Sequence, residues 1–286
     1  MRSGFVAVAG RPNVGKSTLV NALCGDKVAI TSTVPNTTRR RIFGVAHGPD
    51  WQLVLADLPG FQRPMDPLTS KMQETVDASF EDVDAVLLVV SARERIGAGD
   101  RYVGRRVFSL GVPVIIAVNK IDRLTHGHVA TQMKAAATLG DFHALHPVSA
   151  VTKDGVDELR DDLVQLLPEG PMYFPTEQAT DLTPANRVAE VVREKALHLT
   201  RDEVPHAITV EIDELGEKLV RAFVLVETES QKGILVGKKG AMIREIGSRA
   251  RPEVEQLLGH PVFLELVVKV RPKWRRDPKM LERLGQ

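Results

Sequence analysis

The sequence contains a single cysteine, Cys24, among its 286 residues. An intramolecular disulfide and a cysteine-ligated metal cluster are therefore excluded, and a reducing, cytoplasmic setting fits. The net charge is only +1, so any basic surface must be local. The apolar runs fall well short of the ~20 residues that a membrane-spanning helix needs. The residues after Met1 have none of the features of a signal peptide, and we expect none.

The chain is long enough for about two domains at roughly 150 residues each. The segment from Pro168 to Pro175 holds several prolines and a glycine, and it interrupts any regular element. It is the best candidate for a domain boundary. We expect a first domain over residues 1–168, a linker over 169–184 and a second domain over 185–286.

The first domain has short apolar runs separated by longer, more polar segments of helix length. The runs are rich in Val, Leu and Ile and do not alternate with polar residues. This pattern is typical of strands whose two faces are both covered by helices. It predicts an α/β fold with a mostly parallel sheet. The expected strands are 5–9, 53–56, 85–90, 112–118 and 146–150, followed by a helix over 156–167.

The stretch from Gly10 to Ser17 reads G-x-x-x-x-G-K-S and lies between a predicted strand and a predicted helix. In that context the backbone N–H groups of the loop and the helix dipole face a bound phosphate. Lys16 can reach the β- and γ-phosphates, and the Ser17 hydroxyl can bind Mg²⁺. The alternative is a chance match on an ordinary turn. The candidate nucleotide-binding residues of this loop are Asn13, Val14, Gly15, Lys16, Ser17 and Thr18.

A D-x-x-G motif from Asp57 to Gly60 directly follows the next strand. The carboxylate is placed to hold the Mg²⁺ sphere, and the Gly60 N–H can approach a γ-phosphate without steric cost. The polar stretch 31–41 comes before this strand, and a threonine in it would complete the metal shell and act as a switch. We prefer Thr38 to Thr37, although spacing alone does not decide. A plain surface loop is the alternative.

Asn119, Lys120 and Asp122 follow a further strand in the pattern N-K-I-D. The Asp122 carboxylate can accept hydrogen bonds from the ring N–H and the exocyclic amine of guanine, whereas adenine would leave it unpaired. The pattern predicts GTP and GDP as ligands, and an ATPase is the alternative that nucleotide competition would exclude. Asn119 and Lys120 would brace the base and the phosphate loop. Ser149 and Ala150 would supply a backbone N–H to the base carbonyl.

Together these motifs resemble those of Era-type GTPases, a branch of the TRAFAC class, over essentially the whole chain. Relatives commonly have D-T-P-G where this chain has Leu58, but the backbone roles survive that change. The matching segments are GRPNVGKS at 10–17, NTTR at 36–39, DLPG at 57–60, NKID at 119–122 and VSA at 148–150.

One position bears on catalysis. Many small GTPases have a glutamine after D-x-x-G that orients the attacking water, whereas this chain has Phe61, and Gln62 is one residue out of register. In related members an asparagine of the phosphate loop binds K⁺, which acts where an arginine finger would, and Asn13 occupies that position. The resemblance implies slow, K⁺-stimulated hydrolysis without an evident general base. The residues expected to act on the phosphates are Lys16, Asn13, Thr38 and Gly60.

The second half has a different pattern. A helix over 184–200, strands over 207–212 and 219–227, a loop-helix region over 233–259 and a strand over 263–270 give the order α-β-β-α-α-β. This order resembles a type II KH domain, which predicts a smaller α+β domain after the first.

The segment Gly237-Lys238-Lys239-Gly240 has the G-x-x-G form with which KH modules clamp a single-stranded backbone. Its lysines would oppose the phosphates with salt-dependent affinity, and Ile234, Val236 and Ile243 would form an apolar floor for the bases. An ordinary basic turn and a second phosphate site are the alternatives. The candidate RNA-binding residues are Lys232, Ile234, Gly237, Lys238, Lys239, Gly240, Ile243 and Arg244. The basic stretch 268–276 would extend the RNA contact, touch anionic lipid or be a solvated tail.

The sequence favours a monomeric, cytoplasmic GTPase switch joined to a module that binds single-stranded RNA. The resemblance implies that the RNA is the 3′ end of 16S rRNA, during assembly of the small (30S) ribosomal subunit. The residues alone support only single-stranded RNA. The alternative is a regulatory GTPase held peripherally on the inner face of the cell membrane, where it would control protein partners.

Overall fold

The structure is a computed structural model that describes residues 1–61 and 64–284. Gln62, which the sequence places one residue out of register for orienting a water, lies outside the described residues. Within the described part of the chain, no helix combines the length and the apolar character needed to cross a bilayer. The backbone divides into two compact units. The first comprises Met1–Ala29, Pro35–Pro64 and Lys71–Asp181, and the second comprises Ile30–Val34, Met65–Ser70 and Leu182–Gln286.

A six-stranded sheet forms the centre of the first unit. Its strands are β1 (Arg2–Ala9), β2 (Ile42–His47), β3 (Trp51–Asp57), β4 (Ala85–Ser91), β5 (Val114–Asn119) and β6 (Ala144–Val148). They lie in the order β2-β3-β1-β4-β5-β6, and β2 alone among them pairs antiparallel with its neighbour. The accompanying helices are α1 (Lys16–Cys24), α2 (Pro67–Ala78), α3 (Ala98–Phe108), α4 (His126–Ala136) and α5 (Val156–Leu166). The predicted α/β fold with a mostly parallel sheet is confirmed.

The central strands explain the apolar runs of the sequence. All seven residues of β4 and all six of β5 are buried, so neither strand has a solvent face that would select polar residues at alternate positions. Because β1, β4 and β5 are parallel neighbours, their carboxyl ends open at the same edge of the sheet. Strands β3 and β6 run parallel to them, and the predicted nucleotide motifs follow the carboxyl ends of β1, β3, β5 and β6, so the sheet brings the motifs together.

Strand β2 was not among the expected strands. It follows the polar stretch 31–41 and forms a hairpin with β3. Its outer edge is also occupied, because the backbone N–H of Val45 donates to the carbonyl of Ala179 at 2.8 Å and Gly44 bridges to Thr180. The proline-containing segment before residue 182 thus runs along the sheet as an added partner of β2, which covers an otherwise open edge.

The second unit contains α6 (Pro184–Leu199), α7 (Val204–Ala207), β7 (Thr209–Leu215), β8 (Leu219–Val226), α8 (Glu229–Val236), α9 (Ala241–Leu258), β9 (Phe263–Val270) and α10 (Pro278–Arg283). The strands form a sheet in the order β7-β8-β9, antiparallel between β7 and β8 and parallel between β8 and β9. Its core includes Val192, Val224, Ile246 and Val254. The predicted α-β-β-α-α-β order is confirmed, with the short helices α7 and α10 in addition.

The basic stretch after β9 is folded. Trp274 has no exposed surface, and its indole N–H donates to the carbonyl of Ala207 at 2.9 Å. The side chain of Asp277 then caps α10. Of the three alternatives for this stretch, a wholly solvated tail is therefore wrong, because the Trp274 ring is buried and its N–H has a backbone partner.

Candidate functional site

The phosphate loop joins the end of β1 to the start of α1. Gly10 and Gly15 have φ values of 151° and 98°. A Cβ atom on Gly10 would lie 2.5 Å from the carbonyl oxygen of Val89, and one on Gly15 would lie 2.4 Å from Asn119 Nδ2. Both positions therefore require glycine. No side chain caps the N-terminus of α1, so its N–H groups are placed to bind a phosphate.

Lys16 is the first residue of α1 and is 6% exposed. Its Nζ donates to the carbonyl oxygens of Gly10 at 3.2 Å and Arg11 at 3.0 Å, which folds the loop around the side chain. Burial lowers the pKa of Lys16 to about 8, although the charge of Asp57 opposes this shift. An ammonium group buried at this cost is suited to a highly charged anion.

Three oxygen ligands converge beside Lys16. The Ser17 hydroxyl donates to Asp57 Oδ2 at 2.6 Å, and the Thr38 hydroxyl lies 3.0 Å from Ser17 Oγ and 3.2 Å from Asp57 Oδ2. Burial raises the pKa of Asp57, against the opposing effects of the Lys16 charge and of both hydroxyl groups. The tertiary structure thus places Thr38, the threonine preferred from the sequence, in contact with the other two candidate metal ligands.

These residues fit Mg²⁺. The second carboxylate oxygen of Asp57, Oδ1, is buried and has no hydrogen-bond partner among the described residues. Hydroxyl and carboxylate oxygens are the ligands that Mg²⁺ prefers, with water and substrate phosphates completing its shell. No cluster of three or more His, Cys, Asp and Glu side chains suited to a metal occurs within residues 1–61 and 64–284. A site of few protein ligands is what a metal shared with a nucleotide requires.

The segment after β3 packs tightly against the phosphate loop. A Cβ atom on Gly60 would lie 2.9 Å from the backbone of Pro12, and the Phe61 N–H donates to the Gly10 carbonyl at 3.3 Å. The Phe61 side chain is 5% exposed and stacks on Phe80 with 5.8 Å between ring centroids. Phe61 is therefore a core residue, and its side chain cannot orient a catalytic water.

The predicted base-binding residues also come together. Asn119 is 1% exposed, its Nδ2 donates to the Val14 carbonyl at 3.0 Å, and its Oδ1 accepts from Lys120 N at 2.8 Å and Ala150 N at 3.1 Å. Lys120 Nζ reaches the carbonyl of Asn13. Asn119 and Lys120 thus join the β5 and β6 loops to the phosphate loop, and their contact with the base stays a prediction.

The backbone around β6 differs from the expectation in one respect. The Ser149 N–H donates to the carbonyl of Asp154 at 2.9 Å, and the Ala150 N–H already donates to Asn119. A base carbonyl would therefore share the Ala150 N–H in a three-centre bond. The Ser149 side chain has a further role, because its hydroxyl donates to Asp122 Oδ1 at 3.2 Å.

Two arginines of this site were not foreseen. Arg11 binds Asp100 at 2.8 Å and Glu94 at 2.9 Å, which fastens the phosphate loop to α3 and to the turn before it. Burial lowers the pKa of Arg11, but the hydrogen bonds to the two carboxylates outweigh it and the pKa is raised. Arg93, after β4, donates to Asp122 Oδ2 at 3.0 Å. Both contacts join residues distant in the chain, so no local pattern signals them.

The G-x-x-G loop lies between α8 and α9. Gly237 and Gly240 have φ values of 69° and 77°, and a Cβ atom on Gly237 would lie 2.8 Å from the backbone of Met242. Lys238 and Lys239 are exposed at its tip. The glycines therefore shape a narrow loop that presents two lysines to solvent, a geometry suited to a nucleic-acid backbone.

Residues around this loop divide into two groups. Ile234 is 44% exposed, whereas Val236 and Ile243 pack partly into the core of the second unit. The predicted apolar floor is thus only partly open. Of the basic side chains, Arg244 is exposed beside Gly240, but Lys232, Arg249 and Arg251 each lie within 4.0 Å of an acidic neighbour on the same helix. Around this loop, the basic side chains without an acidic neighbour among the described residues are Lys238, Lys239 and Arg244.

Family models match both units. The model described as 50S ribosome-binding GTPase matches residues 5–120, and the KH domain model matches residues 203–275. Among curated proteins, the GTPase Era of Mycobacterium tuberculosis (strain ATCC 25177 / H37Ra) is 45% identical, with 99% of this chain and 98% of the relative covered. The GTPase Era of Heliobacterium modesticaldum is 41% identical, with 100% and 97% covered.

Solved structures match over the same length. A crystal structure of Era in complex with MgGDPNP and nucleotides 1506–1542 of 16S ribosomal RNA has a TM-score of 0.96 and 39% identity, covering 100% of this chain and 99% of the other. A variant of Aquifex aeolicus Era bound to GDP and AlF₄⁻ has a TM-score of 0.96 and 38% identity, with the same coverage. By its full-length likeness to these relatives and its paired GTPase and KH units, the chain belongs to the Era family of GTPases.

Proposed function

We propose that this GTPase is a switch whose nucleotide state controls the affinity of its KH unit for the 3′ end of 16S rRNA during assembly of the small ribosomal subunit. The GTPase domain spans residues 1–168, the linker 169–184 and the RNA-binding domain 185–286. The protein acts as a monomer in the cytoplasm, where ribosomal subunits are assembled. One observation carries the proposal: a single chain holds both the Ser17–Thr38–Asp57 oxygen cluster and the exposed Lys238–Lys239 loop.

Each part of GTP has its own group of proposed contacts in the nucleotide site. The phosphate loop and Lys16 hold the β- and γ-phosphates, and the Gly60 N–H meets the γ-phosphate. Ser17, Thr38 and Asp57 would hold Mg²⁺, which would supply positive charge where negative charge develops on the transferred phosphoryl group. Asn119, Lys120, Asp122, Ser149 and Ala150 hold the guanine base. Because Thr38 contacts the other metal ligands, loss of the γ-phosphate removes a tether from residues 31–41.

Slow hydrolysis follows from what the site lacks. Phe61 is a core residue, and no described side chain beside Thr38 or Gly60 is an evident general base. We assign Asn13 to K⁺, which would replace an arginine finger. Turnover is to be measured in K⁺ and in Na⁺ at equal ionic strength, for the natural chain and for Asn13→Ala. K⁺ stimulation that Asn13→Ala removes supports the assignment, and equal rates in the two salts would eliminate it.

The RNA assignment has two supports. The G-x-x-G loop presents Lys238 and Lys239 on a glycine-shaped turn between two helices. A relative of 39% identity with a TM-score of 0.96 was crystallised with nucleotides 1506–1542 of 16S ribosomal RNA. The probe is therefore a synthetic RNA of that 3′ segment, with a scrambled RNA of the same length as the control.

Affinity for both RNAs is to be measured with saturating GDP and with saturating GDPNP, each with Mg²⁺. We expect preference for the 3′ segment over the scrambled RNA, and tighter binding with GDPNP than with GDP. Equal affinity for the two RNAs would refute the rRNA assignment. Preference for the 3′ segment that is identical with both nucleotides would leave the RNA site in place and remove the switch.

A further inference from the structure

The Asp122 carboxylate is held from both sides. Its Oδ1 accepts a hydrogen bond from Ser149 Oγ at 3.2 Å, and its Oδ2 accepts one from Arg93 Nη2 at 3.0 Å. The Asp122 side chain is 10% exposed and that of Arg93 is 44% exposed. Arg123 is also near, but its Nε lies 3.9 Å from Oδ2 and its side chain is 83% exposed. The carboxylate thus has one well-formed partner on each oxygen, supplied by a different loop.

The backbone that carries Arg93 is fixed to the base-binding strand. Ala92 N donates to the Asn119 carbonyl at 2.7 Å, and Arg93 N donates to Ser91 Oγ at 3.3 Å. The carbonyl of Ala92 lies 3.1 Å from His128 Nε2. Arg93 therefore extends from an anchored turn beside Asp122, which limits the conformational entropy that its ion pair must overcome.

The orientation of this carboxylate decides what it can recognise. The terminal torsion of an aspartate is broad and roughly two-fold, so a free carboxylate samples many planes. Reading guanine requires one plane, in which one oxygen faces the ring N–H and the other faces the exocyclic amine. Each carboxylate oxygen has two acceptor sites. A donor on each oxygen fixes the plane and still leaves a second site on each for the base.

We propose that Arg93 is a positioning residue that sets guanine selectivity by fixing the plane of the Asp122 carboxylate together with Ser149. The inference rests on the proposed role of Asp122 as the reader of guanine. Arg93 does not touch the base. It acts through Asp122, and its loss lets the carboxylate rotate away from the two donors of guanine.

The test compares Arg93→Gln with the matched control Arg123→Gln, an arginine next to the same carboxylate but without a formed hydrogen bond. The ligands are GDP and inosine diphosphate, which lacks the exocyclic amine. Affinities are measured by displacement of a ribose-labelled GDP, with Mg²⁺ present. The ratio of the two affinities isolates the contact to the amine, so a variant that merely loosens the fold lowers both affinities and leaves the ratio unchanged.

We expect the natural chain to prefer GDP by about tenfold or more, since a hydrogen bond to a charged group is lost with inosine. Arg93→Gln should weaken GDP binding by about three- to fivefold, the scale of a partly exposed ion pair, and should lower the GDP preference by at least about twofold. Arg123→Gln should change neither quantity. Arg93→Lys should recover part of the preference, because one donor remains.

Three results would overturn the inference. An unchanged GDP preference in Arg93→Gln would show that Arg93 does not act through the reading carboxylate. Tighter GDP binding in that variant would show that Arg93 competes with guanine. A natural chain that binds GDP and inosine diphosphate equally would instead refute the role of Asp122 itself, and the inference with it.

Discussion

The hydroxyl of Thr38 lies 3.2 Å from Oδ2 of Asp57, across 19 positions of the chain. Both side chains are buried, and both contact Ser17. Asp57 ends a central strand, whereas Thr38 comes from a segment without regular structure. A bound metal at this point would therefore connect a rigid element with a segment that can rearrange.

Thr38→Ala should lower GTP hydrolysis by about tenfold or more and leave the affinity for GDP within about twofold, since the proposed role of Thr38 requires the γ-phosphate. Single-turnover hydrolysis and GDP titration measure the two quantities. Thr37→Ala is the matched control and should hydrolyse GTP at nearly the natural rate. The reverse pattern, with Thr37→Ala inactive and Thr38→Ala active, would assign the metal to the other threonine.

Asp122→Asn should exchange guanine for xanthine. The asparagine oxygen can still accept from the ring N–H, but its amide now donates to the carbonyl that xanthine has in place of the amine. GDP affinity should fall by about tenfold to a hundredfold, while xanthosine diphosphate becomes the tighter ligand. Competition against labelled GDP and labelled xanthosine diphosphate measures this. The exposed Asp141→Asn should keep guanine preference, and a variant at 122 that still prefers GDP would contradict the assignment.

Replacing Lys238 and Lys239 by glutamine should weaken RNA binding and reduce its salt dependence. Each lysine that neutralises a phosphate of a single strand contributes about 0.7 to the slope of log affinity against log salt, so the double variant should lose about 1.4. These substitutions avoid the strain that a side chain at Gly237 would cause. Lys218→Gln, on the exposed turn between β7 and β8, is the control. An unchanged slope would place the phosphate contacts elsewhere.

Gln52 stabilises the segment that leads from the first unit. Its side chain is fully buried, accepts from the N–H groups of Tyr173 at 2.8 Å and Phe174 at 3.1 Å, and donates to the Phe174 carbonyl at 2.7 Å. Gln52→Ala removes the acceptor of two backbone donors. We expect the free energy of unfolding to fall by about 1–3 kcal/mol, and limited proteolysis to cut near residue 173 more readily.

The control for this change is Gln165→Ala on the exposed face of α5, where the helix tolerates alanine well. Denaturant unfolding of both variants gives the comparison. Equal stability of Gln52→Ala and the natural chain would show that water replaces the glutamine at no cost.

The single thiol should be unreactive in the folded protein. Burial raises the pKa of Cys24 to about 12, and the charges of Asp26 and Asp57 act in the same direction. Since the thiolate is the reactive form, its fraction at pH 8 is about one in ten thousand. Labelling by an aromatic disulfide reagent should be slow at pH 8, accelerate about tenfold for each pH unit while the fold persists, and become rapid in guanidinium chloride. Fast labelling of the native chain at pH 7 would contradict the raised pKa of Cys24.

The amino-acid sequence alone was enough to predict the family, the fold class and the parts of each candidate site that are continuous in the chain. The loop Gly10–Ser17, the N-K-I-D segment and the G-K-K-G loop are local: their function depends on backbone shapes that neighbouring residues impose. The central strands were also visible, because complete burial leaves unbroken apolar runs.

Which distant residues meet is visible only in the three-dimensional structure. Thr38 lies beside Asp57, and Phe61 stacks on Phe80. Arg93 donates a hydrogen bond to Asp122, and Trp274 donates one to the Ala207 carbonyl. Each pair depends on strand order and register, which bring together positions that no local periodicity connects. Strand β2 was missed for the same reason. Its six residues have too short an apolar pattern to predict a strand, and they form one by pairing with β3 and with the segment near Ala179. Local sequence patterns determine the backbone conformation of each segment, and long-range packing determines which distant side chains it contacts.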